Sequence, residues 1–318
     1  MKKKILITGG SGYIGTALTA NLLKKNTVFI VDKKNIEQYY QKKVIFLKSD
    51  FSSLSTIRLI QKEKIETVIH LAAYIDSLES EKKRDKYKLN NLTKSKKFFL
   101  NLKKYTQVKK FIFSSSAAVY GNTKLPTKET ARPKPVNYYG FTKLYFENFL
   151  KKNHDNKIKC LCLRFFNIGG TSRNILKKNS AYNALFYNIA KCIVKKKTFS
   201  VYGDRHETKD GTCYRDFIHL ESLVVLINKL IPKLNKNFEI INIGNGKAFS
   251  IKEVIEIIQN EIRLPFLYFI KENRENEISY SSSNIDLLKK KINYTSKNEV
   301  KKIILDEIKN FRSLQNHD

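Results

Sequence analysis

Tyr139-Gly-Phe-Thr-Lys143 sets a phenol and an ammonium four residues apart, so on a helix the two side chains share one face. An ammonium beside a phenol favours the phenolate, and the spacing predicts a tyrosine able to lose its proton near neutral pH. Far upstream, Lys4-Ile-Leu-Ile-Thr-Gly-Gly-Ser-Gly-Tyr-Ile-Gly15 reads as a short apolar strand breaking into a glycine loop and then a helix. Gly10, Gly12 and Gly15 fit the dinucleotide fingerprint, in which glycines let the backbone approach a pyrophosphate at a helix N-terminus. A nucleotide cofactor and an ionisable tyrosine together describe chemistry that moves a hydride and a proton.

Asp32 ends the next apolar run, Thr27-Val-Phe-Ile-Val31, seventeen residues after Gly15. A carboxylate there accepts hydrogen bonds from the adenosine ribose and repels a 2′-phosphate, so NAD is expected over NADP. Asp50 ends a third run and is placed to meet the adenine edge, with Phe51 beside it; an ordinary strand-end turn residue is the other open reading.

The elements that must hold these residues alternate. Candidate strands at 4–8, 27–31, 44–48, 67–71, 109–114 and 158–164 are interleaved with candidate helices at about 13–25, 53–63, 86–105 and 138–152. That order predicts an α/β fold, a doubly wound parallel sheet of the Rossmann kind. Gly121, Pro126, Pro133 and Pro135 make 121–136 an irregular excursion. After Asn167-Ile-Gly-Gly170 the alternation stops. A helix near 183–195, a strand at 199–202, a polar loop to Gly211, a helix at 219–231 and a strand at 238–243 follow. A helix at 250–262, a strand at 266–270 and helices near 284–290 and 296–311 complete the chain. The pattern divides into an NAD-binding domain, 1–170 with its sheet completed by about 217–248, and a smaller mixed α/β lobe from 171–216 and 249–318.

At 318 residues and 42% hydrophobic composition the chain can bury a sizeable core and does not read as disordered. The basic start is followed by only three apolar residues before Thr8, too few for an export signal, and no stretch is apolar for long enough to cross a membrane. Cys160, Cys162, Cys192 and Cys213 show no metal or disulfide spacing and are expected to be reduced thiols in a cytoplasmic protein. His70 and His219 also lack the spacing of metal ligands and are read as structural, so no metal is expected. The net charge of +32 raises a nucleic-acid partner, but only ten of the 61 basic residues are arginine. The lysines are scattered in short pieces along the whole chain, and the excess is read as solvated surface and not as a nucleic-acid footprint.

Six stretches carry a family resemblance. They are Thr8–Gly15, Val68-Ile-His-Leu-Ala-Ala73, Phe111-Ile-Phe-Ser-Ser-Ser-Ala-Ala-Val-Tyr-Gly121, Tyr139–Lys143, Leu163-Arg-Phe-Phe-Asn167 and Asp210-Gly-Thr-Cys-Tyr-Arg-Asp-Phe-Ile-His219. With them the chain resembles the extended short-chain dehydrogenase/reductase family, and within it the UDP-galactose 4-epimerases. The resemblance covers residues 4 to about 294, and the last stretch is its most particular part.

The resemblance implies that Tyr139 takes the proton of the sugar 4-hydroxyl, that Lys143 holds the nicotinamide ribose and lowers the tyrosine pKa, and that Ser116 hydrogen-bonds the reacting oxygen. It implies an NAD site from Gly9, Gly12, Tyr13, Ile14, Gly15, Asp32, Asp50, Phe51, Leu71, Ala72, Ala73, Asn91, Ser114 and Phe166, besides Tyr139 and Lys143. For a UDP-sugar it implies Asn167 at the diphosphate, Arg215 and Arg274 neutralising the phosphates, Tyr202 stacked on uracil, and Glu277 at the uridine ribose in place of the usual Asp. Asn183 and Leu185 line the same pocket, and a homodimer is expected. Arg215 and Arg274 could instead form surface ion pairs, and Tyr202 could be a half-buried strand aromatic.

Where sugar dehydratases of the family carry an Asp-Glu pair, this chain has Ala117-Ala118, which cannot shuttle the protons needed to expel water. Ile75 stands in place of a lysine and Ala184 in place of an asparagine near the phosphates. Ser281 falls where glucose-specific relatives carry a tyrosine wall, which suggests room for an N-acetyl group. A pentose- or uronate-directed epimerase or reductase, and a non-catalytic nucleotide- or RNA-binding member, are the competing readings; intact Tyr139, Lys143 and Ser116 argue against the last.

Overall fold

The computed structural model describes residues 2–172, 185–262, 266–274, 277–295 and 299–315. Their contacts divide the chain into two units. The first comprises 1–119, 137–164 and 227–241, the second 120–136, 165–226 and 242–318. The excursion 120–136 therefore belongs with the later part of the chain.

The first unit is built on strands β1 (Lys3–Thr8), β2 (Asn26–Asp32), β3 (Ile45–Lys48), β4 (Thr67–His70), β5 (Lys110–Ser116) and β6 (Lys159–Phe165), with β10 (Phe238–Ile243) at the far edge. The spatial order is β10-β6-β5-β4-β1-β2-β3, and the pairs around β1 run parallel. These runs are almost continuously apolar because helices cover both faces; Thr67–His70, for example, is buried throughout. The chain leaves β1 toward β2 on one side and returns to β4 on the other. The strand order thus reverses at β1, and ligands of such sheets bind at the carboxyl ends beside a reversal of this kind. The register aligns Thr8 with Val31 and His70, and His70 with Phe113. Gly9, Asp32, Leu71 and Ser114 consequently emerge at one end of the sheet.

The helix Tyr138–Asn153 starts where the Asn137 side chain accepts the Gly140 N–H at 2.8 Å, and it ends on Lys151 and Lys152, whose charges suit a helix C-terminus. Its buried stripe is Gly140, Thr142, Lys143, Phe146, Glu147 and Leu150. Two ionisable groups on an apolar stripe are costly unless they are paired, which marks this face for function. Phe146 and Leu150 join Leu6, Phe29, Phe98 and Phe111 in the core.

The expected helix over 86–105 is three pieces: Arg84–Tyr87, a π-helical stretch Lys88–Lys94, and Ser95–Tyr105. A short helix Ser77–Lys82, capped by Asp76, precedes them and was not legible in the hydrophobic pattern. The π stretch carries Asn91, and such insertions commonly serve to aim a side chain.

The second unit contains β7 (Asn167–Gly169), β8 (Phe199–Tyr202), β9 (Tyr214–His219), β11 (Ala248–Ser250), β12 (Tyr268–Lys271) and β13 (Tyr280–Ser281). β9 is the hub: β11 pairs with it antiparallel, β13 and β7 pair with it in parallel, and β12 pairs with β8. Between the expected loop to Gly211 and the expected helix from 219 the structure thus has a strand that was not expected, held by three neighbours too short to show a periodic signal. Helices Leu185–Val194, Ile251–Ile262 and Val300–Gln315 contribute the apolar residues Phe186, Val254 and Ile304 to this unit's core.

Candidate active site

The glycine loop follows β1. Gly9 has φ +75°, and a Cβ there would lie 2.7 Å from the Ala72 nitrogen, so the loop passes against Leu71–Ala72 only as glycine. A Cβ at Gly15 would lie 2.3 Å from the Gly9 carbonyl oxygen. Gly12 begins the helix Tyr13–Leu22 and is exposed; a Cβ there would meet only the Gly9 oxygen, at 3.2 Å. A glycine N-cap offers no side-chain acceptor to the first turn, whose amides and dipole suit a pyrophosphate. The cradle that a side chain would fill fits the phosphates of a dinucleotide.

Asp32 sits at the end of β2 and ties itself to this loop. Its carboxylate accepts the Ser11 N–H and the Lys34 N–H, each at 3.0 Å. That places an acceptor beside the loop at the position where the adenosine ribose is expected.

Asp50 is engaged within the protein. One oxygen accepts the Ser52 N–H at 2.9 Å and the Ser52 hydroxyl at 2.8 Å; the other pairs with Lys94 at 2.5 Å and Lys33 at 2.9 Å. Burial alone would raise its pKa, but the hydrogen bonds from Lys94, Ser52 and Lys33 win and hold it well below the usual carboxylate range. Phe51 packs inward, edge-on to His70 at 4.8 Å. Asn91 is 4% exposed and exchanges two hydrogen bonds with the backbone of Tyr74, at 2.9 and 3.0 Å. It therefore steadies the Leu71–Tyr74 loop from behind. His70 is structural: its ring meets Thr8 at 2.7 Å and Ser95 at 3.1 Å, and burial, with Lys143 adding to it, drops its pKa to about 3.

The three consecutive serines of β5 have separate tasks. The Ser114 hydroxyl donates to the His70 carbonyl at 3.0 Å, and its own carbonyl accepts from Lys143 Nζ at 2.6 Å. The Ser115 hydroxyl donates to Glu147 Oε1 at 2.5 Å. Ser116 accepts the Ala118 N–H at 3.1 Å, and its hydroxyl lies close enough to the Tyr139 phenol to pull the phenol's pKa down. Tyr139, Lys143 and Ser116 are thus brought together as expected, with Lys143 Nζ 5.7 Å from the centre of the Tyr139 ring.

Their acidities differ from the expectation. Burial pushes the Tyr139 phenol up to about 12, against the Ser116 hydrogen bond that pulls it down. Burial pulls Lys143 down to about 7, with Glu147 opposing. In the protein alone burial outweighs any effect of Lys143 on the tyrosine, and the same burial weakens protonation of Lys143, whose ammonium is turned to the Ser114 carbonyl. A further positive charge is needed before the phenol can ionise near neutral pH.

Two residues the sequence reading missed lie beneath the site. Arg164 of β6 grips Glu147 through Nε at 3.0 Å and Nη2 at 2.6 Å, and both are almost completely buried. Glu147 is four residues beyond Lys143, so the same helical spacing that joins Tyr139 to Lys143 could have found it.

The second unit carries the other candidates. Tyr202 ends β8 and has the Arg274 guanidinium 3.6 Å from its ring centre, so one face of the ring is already stacked. Arg215 on β9 donates to Glu277 Oε1 at 3.5 Å and stands opposite Ser281 in the strand register. Ser281 is 8% exposed. Asn167 is exposed at the start of β7, paired with Phe217, and Phe166 is buried beside Tyr120. Leu185 is half-buried at a helix start; Asn183 and Ala184 lie outside the described residues. Ile75 is exposed. Asp216 in the same strand is a fastener: it accepts the N–H groups of Asn245, Gly246 and Ser283. His219 is likewise structural, bonded to Asp306 at 2.9 Å.

A family model described as the NAD dependent epimerase/dehydratase family matches residues 5–244. A UDP-glucose 4-epimerase of Lactobacillus helveticus is 34% identical over 265 residues, 80% of each chain. Among solved structures, a UDP-glucose 4-epimerase from Stenotrophomonas maltophila, with bound NAD and formylated UDP-arabinopyranose, superposes with a TM-score of 0.90 at 25% identity. It covers 99% of this chain and 100% of its own. A UDP-Glc/GlcNAc 4-epimerase from Campylobacter jejuni gives 0.81 at 28% identity, covering 98% and 99%.

Proposed function

The chain belongs to the NAD dependent epimerase/dehydratase family, and within it we propose an isomerase that inverts carbon 4 of UDP-hexoses, interconverting UDP-glucose and UDP-galactose. The observation that carries this reading is the grouping of Tyr139, Ser116 and a buried Lys143 at the sheet end where the glycine loop also emerges, with the Ser116 hydroxyl close enough to the phenol to pull its pKa down. Bound NAD supplies an acceptor for the carbon-4 hydride, returns that hydride later, and brings the positive charge of its oxidised ring. Gly9–Gly15 would hold its pyrophosphate and Asp32 its adenosine ribose, with Leu71–Ala73 lining the approach.

Tyr139 removes the proton from the sugar 4-hydroxyl as carbon 4 is oxidised to a ketone, and gives a proton back when the alcohol re-forms. Ser116 hydrogen-bonds the same oxygen in both directions, so the oxygen is held while its charge changes. Lys143, fixed by the Ser114 carbonyl, supplies its ammonium to the ribose of the cofactor and a charge on the tyrosine side. Inversion requires the 4-keto sugar to present its other face, so the grip on the substrate falls to the nucleotide. Arg215, Arg274 and Glu277 provide charges suited to a diphosphate and a ribose, Tyr202 offers an aromatic face for uracil, and the exposed Asn167 offers a polar side chain for the diphosphate. Ala117 and Ala118 offer no second acid or base, which favours epimerisation over loss of water.

The small side chain of Ser281, opposite Arg215, supports acceptance of the N-acetylated sugars as well. Free cysteines favour a reducing compartment such as the cytoplasm. Exposed Leu89, Leu100, Phe141 and Tyr145 on helices of the first unit favour a homodimer, which size-exclusion chromatography reads directly. The test of the function is incubation with UDP-galactose, and separately with UDP-N-acetylgalactosamine, without added cofactor. Separated C4-epimers are the expected outcome; recovery of unchanged substrates from NAD-loaded protein overturns the reading.

A further inference from the structure

Beneath Tyr139 and Lys143 lies a second set of buried polar side chains that the reaction as described does not use. Ser115, Glu147 and Arg164 are each no more than 2% exposed. Glu147 Oε1 accepts the Ser115 hydroxyl at 2.5 Å and Arg164 Nε at 3.0 Å, while Oε2 accepts Arg164 Nη2 at 2.6 Å. Resting on the epimerase reading above, we propose that Glu147 is a positioning residue for that reaction. It ties the helix of Tyr139 and Lys143 to the end of β5, and it holds Lys143 in its charged form.

Two cross-links join helix and strand. Lys143 Nζ donates to the Ser114 carbonyl at 2.6 Å, and one helical turn later Glu147 takes the hydroxyl of the next residue, Ser115. The residue after that, Ser116, is the one whose hydroxyl acts on the Tyr139 phenol. Ser115 thus stands between the strand's two contacts with the site, and fixing it fixes both. Arg164 anchors the same carboxylate from β6, the strand next to β5 in the sheet.

Charge is the second part of the role. Lys143 is 2% exposed, and besides the Ser114 carbonyl its ammonium faces the Phe113 ring, 4.8 Å from the centre. An ammonium so placed sheds its proton unless a negative charge offsets the lost water. Burial brings Lys143 down to about 7, and Glu147 acts against that fall. The other groups around Lys143 do not supply this charge. β5 brings only Ser114–Ser116 to this end, and β4 brings His70, which burial keeps neutral. β6 brings Cys162, whose thiol burial keeps protonated, and Arg164, which is positive. Tyr139, on the same helix, is held up to about 12. On the helices packed alongside, Glu81 accepts the Tyr138 N–H and pairs with Arg84, Glu79 pairs with Lys83 and Lys86, and Lys96 lies over the Tyr145 ring.

Stability alone does not account for the pair, since apolar side chains of like volume often serve a fold as well as a buried ion pair does. A fixed carboxylate one turn from a buried ammonium is what they do not supply.

Two variants test this. Glu147→Gln removes the charge and keeps an acceptor for Ser115; Glu147→Leu with Arg164→Met removes both charges and fills the space. For each, kcat and KM for UDP-galactose are measured against pH on NAD-loaded protein. Both should lower kcat with KM near the wild-type value, because Glu147 touches none of the groups assigned to the nucleotide. The alkaline limb of the kcat profile should move down by about one pH unit or more, each unit taking about tenfold from the protonated fraction of Lys143. Melting temperature gives a second reading on cofactor-free protein. A lower Lys143 pKa in the fold makes stability begin to rise at a lower pH. That rise, taken as the difference between each variant and the same variant carrying Lys143→Met, should therefore start below the pH at which it starts in the wild type. The melting curves need no epimerase activity, so they separate failure of this proposal from failure of the reaction reading. Should Glu147→Gln fold poorly, the double variant supplies both measurements. An alkaline limb that stays in place in folded variants, or a melting rise that starts at the wild-type pH, overturns the proposal.

Discussion

Lys143 donates a 2.6 Å hydrogen bond to the backbone carbonyl of Ser114, two residues before the serine that meets the Tyr139 phenol. One strand end thus fixes the ammonium and the hydroxyl on either side of the tyrosine. Burial leaves this ammonium with a pKa of about 7, well below the 10.5 of a free lysine. The site therefore holds a charge that the bare protein bears at a cost.

That cost has a pH signature. Below pH 7 folded and unfolded chains both carry the proton, and the folded state bears the full penalty. Between about 7 and 10.5 the unfolded chain binds a proton that the folded chain has released, so this residue makes stability rise with pH; above 10.5 the penalty is gone. The melting temperature of cofactor-free wild type should climb from pH 7 to 9 relative to that of Lys143→Met. Parallel curves for the two proteins would show that Lys143 is charged freely in the fold.

Tyr139→Phe should keep the fold and NAD binding and lose at least about a hundredfold in turnover, the scale for a positioned acid/base. With the phenol at about 12 in the bare protein, ionisation of Tyr139 should follow cofactor binding and not precede it. Ultraviolet titration of the phenol, with and without NAD, reads that order. An apparent pKa that does not move on loading would remove the cofactor's charge from the explanation.

The buried Glu147–Arg164 pair makes a stability prediction. Removing one partner strands the other charge, so Glu147→Ala should cost about 3–5 kcal/mol in urea unfolding, whereas Glu147→Leu with Arg164→Met should cost much less. Equal losses in both variants would mean that packing, and not charge pairing, sets the cost.

What was legible in the chain and what was not follows from the range of the interactions. The strand and helix pattern of the first unit shows in local apolar runs, and the glycine loop, Asp32 and the Tyr139–Lys143 pair show in spacing. The π stretch at Lys88–Lys94 did not, since helical periodicity continues on both sides of it. Strands as short as Asn167–Gly169 and Tyr280–Ser281 carry no periodic signal and exist because Tyr214–His219 pairs with them. The engagement of Asp50 by Lys33 and Lys94, and the grip of Arg164 on Glu147, depend on contacts between segments far apart in sequence. The raised pKa of Tyr139 escaped for another reason: spacing reports a neighbour's charge but not the loss of water around both groups.

Asp32 should set the cofactor. Its carboxylate is already oriented by the Ser11 and Lys34 amides, so a 2′-phosphate would meet a fixed negative charge. Stripped protein should regain activity with NAD far better than with NADP, and Asp32→Asn, which keeps an acceptor and loses the charge, should narrow the gap. Equal recovery with both cofactors in the wild type would take Asp32 out of this role.

Ser281 makes the prediction about substrate. It is buried and stands opposite Arg215, and on the proposed placement beside the sugar's 2-substituent a tyrosine there would occupy the space that an acetamido group needs. Ser281→Tyr should cut activity on UDP-N-acetylglucosamine far more than on UDP-glucose, because a clash penalises one ligand without improving the other. Ser281→Ala, which adds no volume, should leave the ratio of the two catalytic efficiencies near that of the wild type; the ratio converts directly to a free-energy difference. Because the position is buried, the ratio is the proper measure: loss of folded Ser281→Tyr protein lowers both activities alike and leaves their quotient unchanged. A quotient unmoved in soluble, folded Ser281→Tyr would place the 2-substituent elsewhere and withdraw the dual-substrate reading.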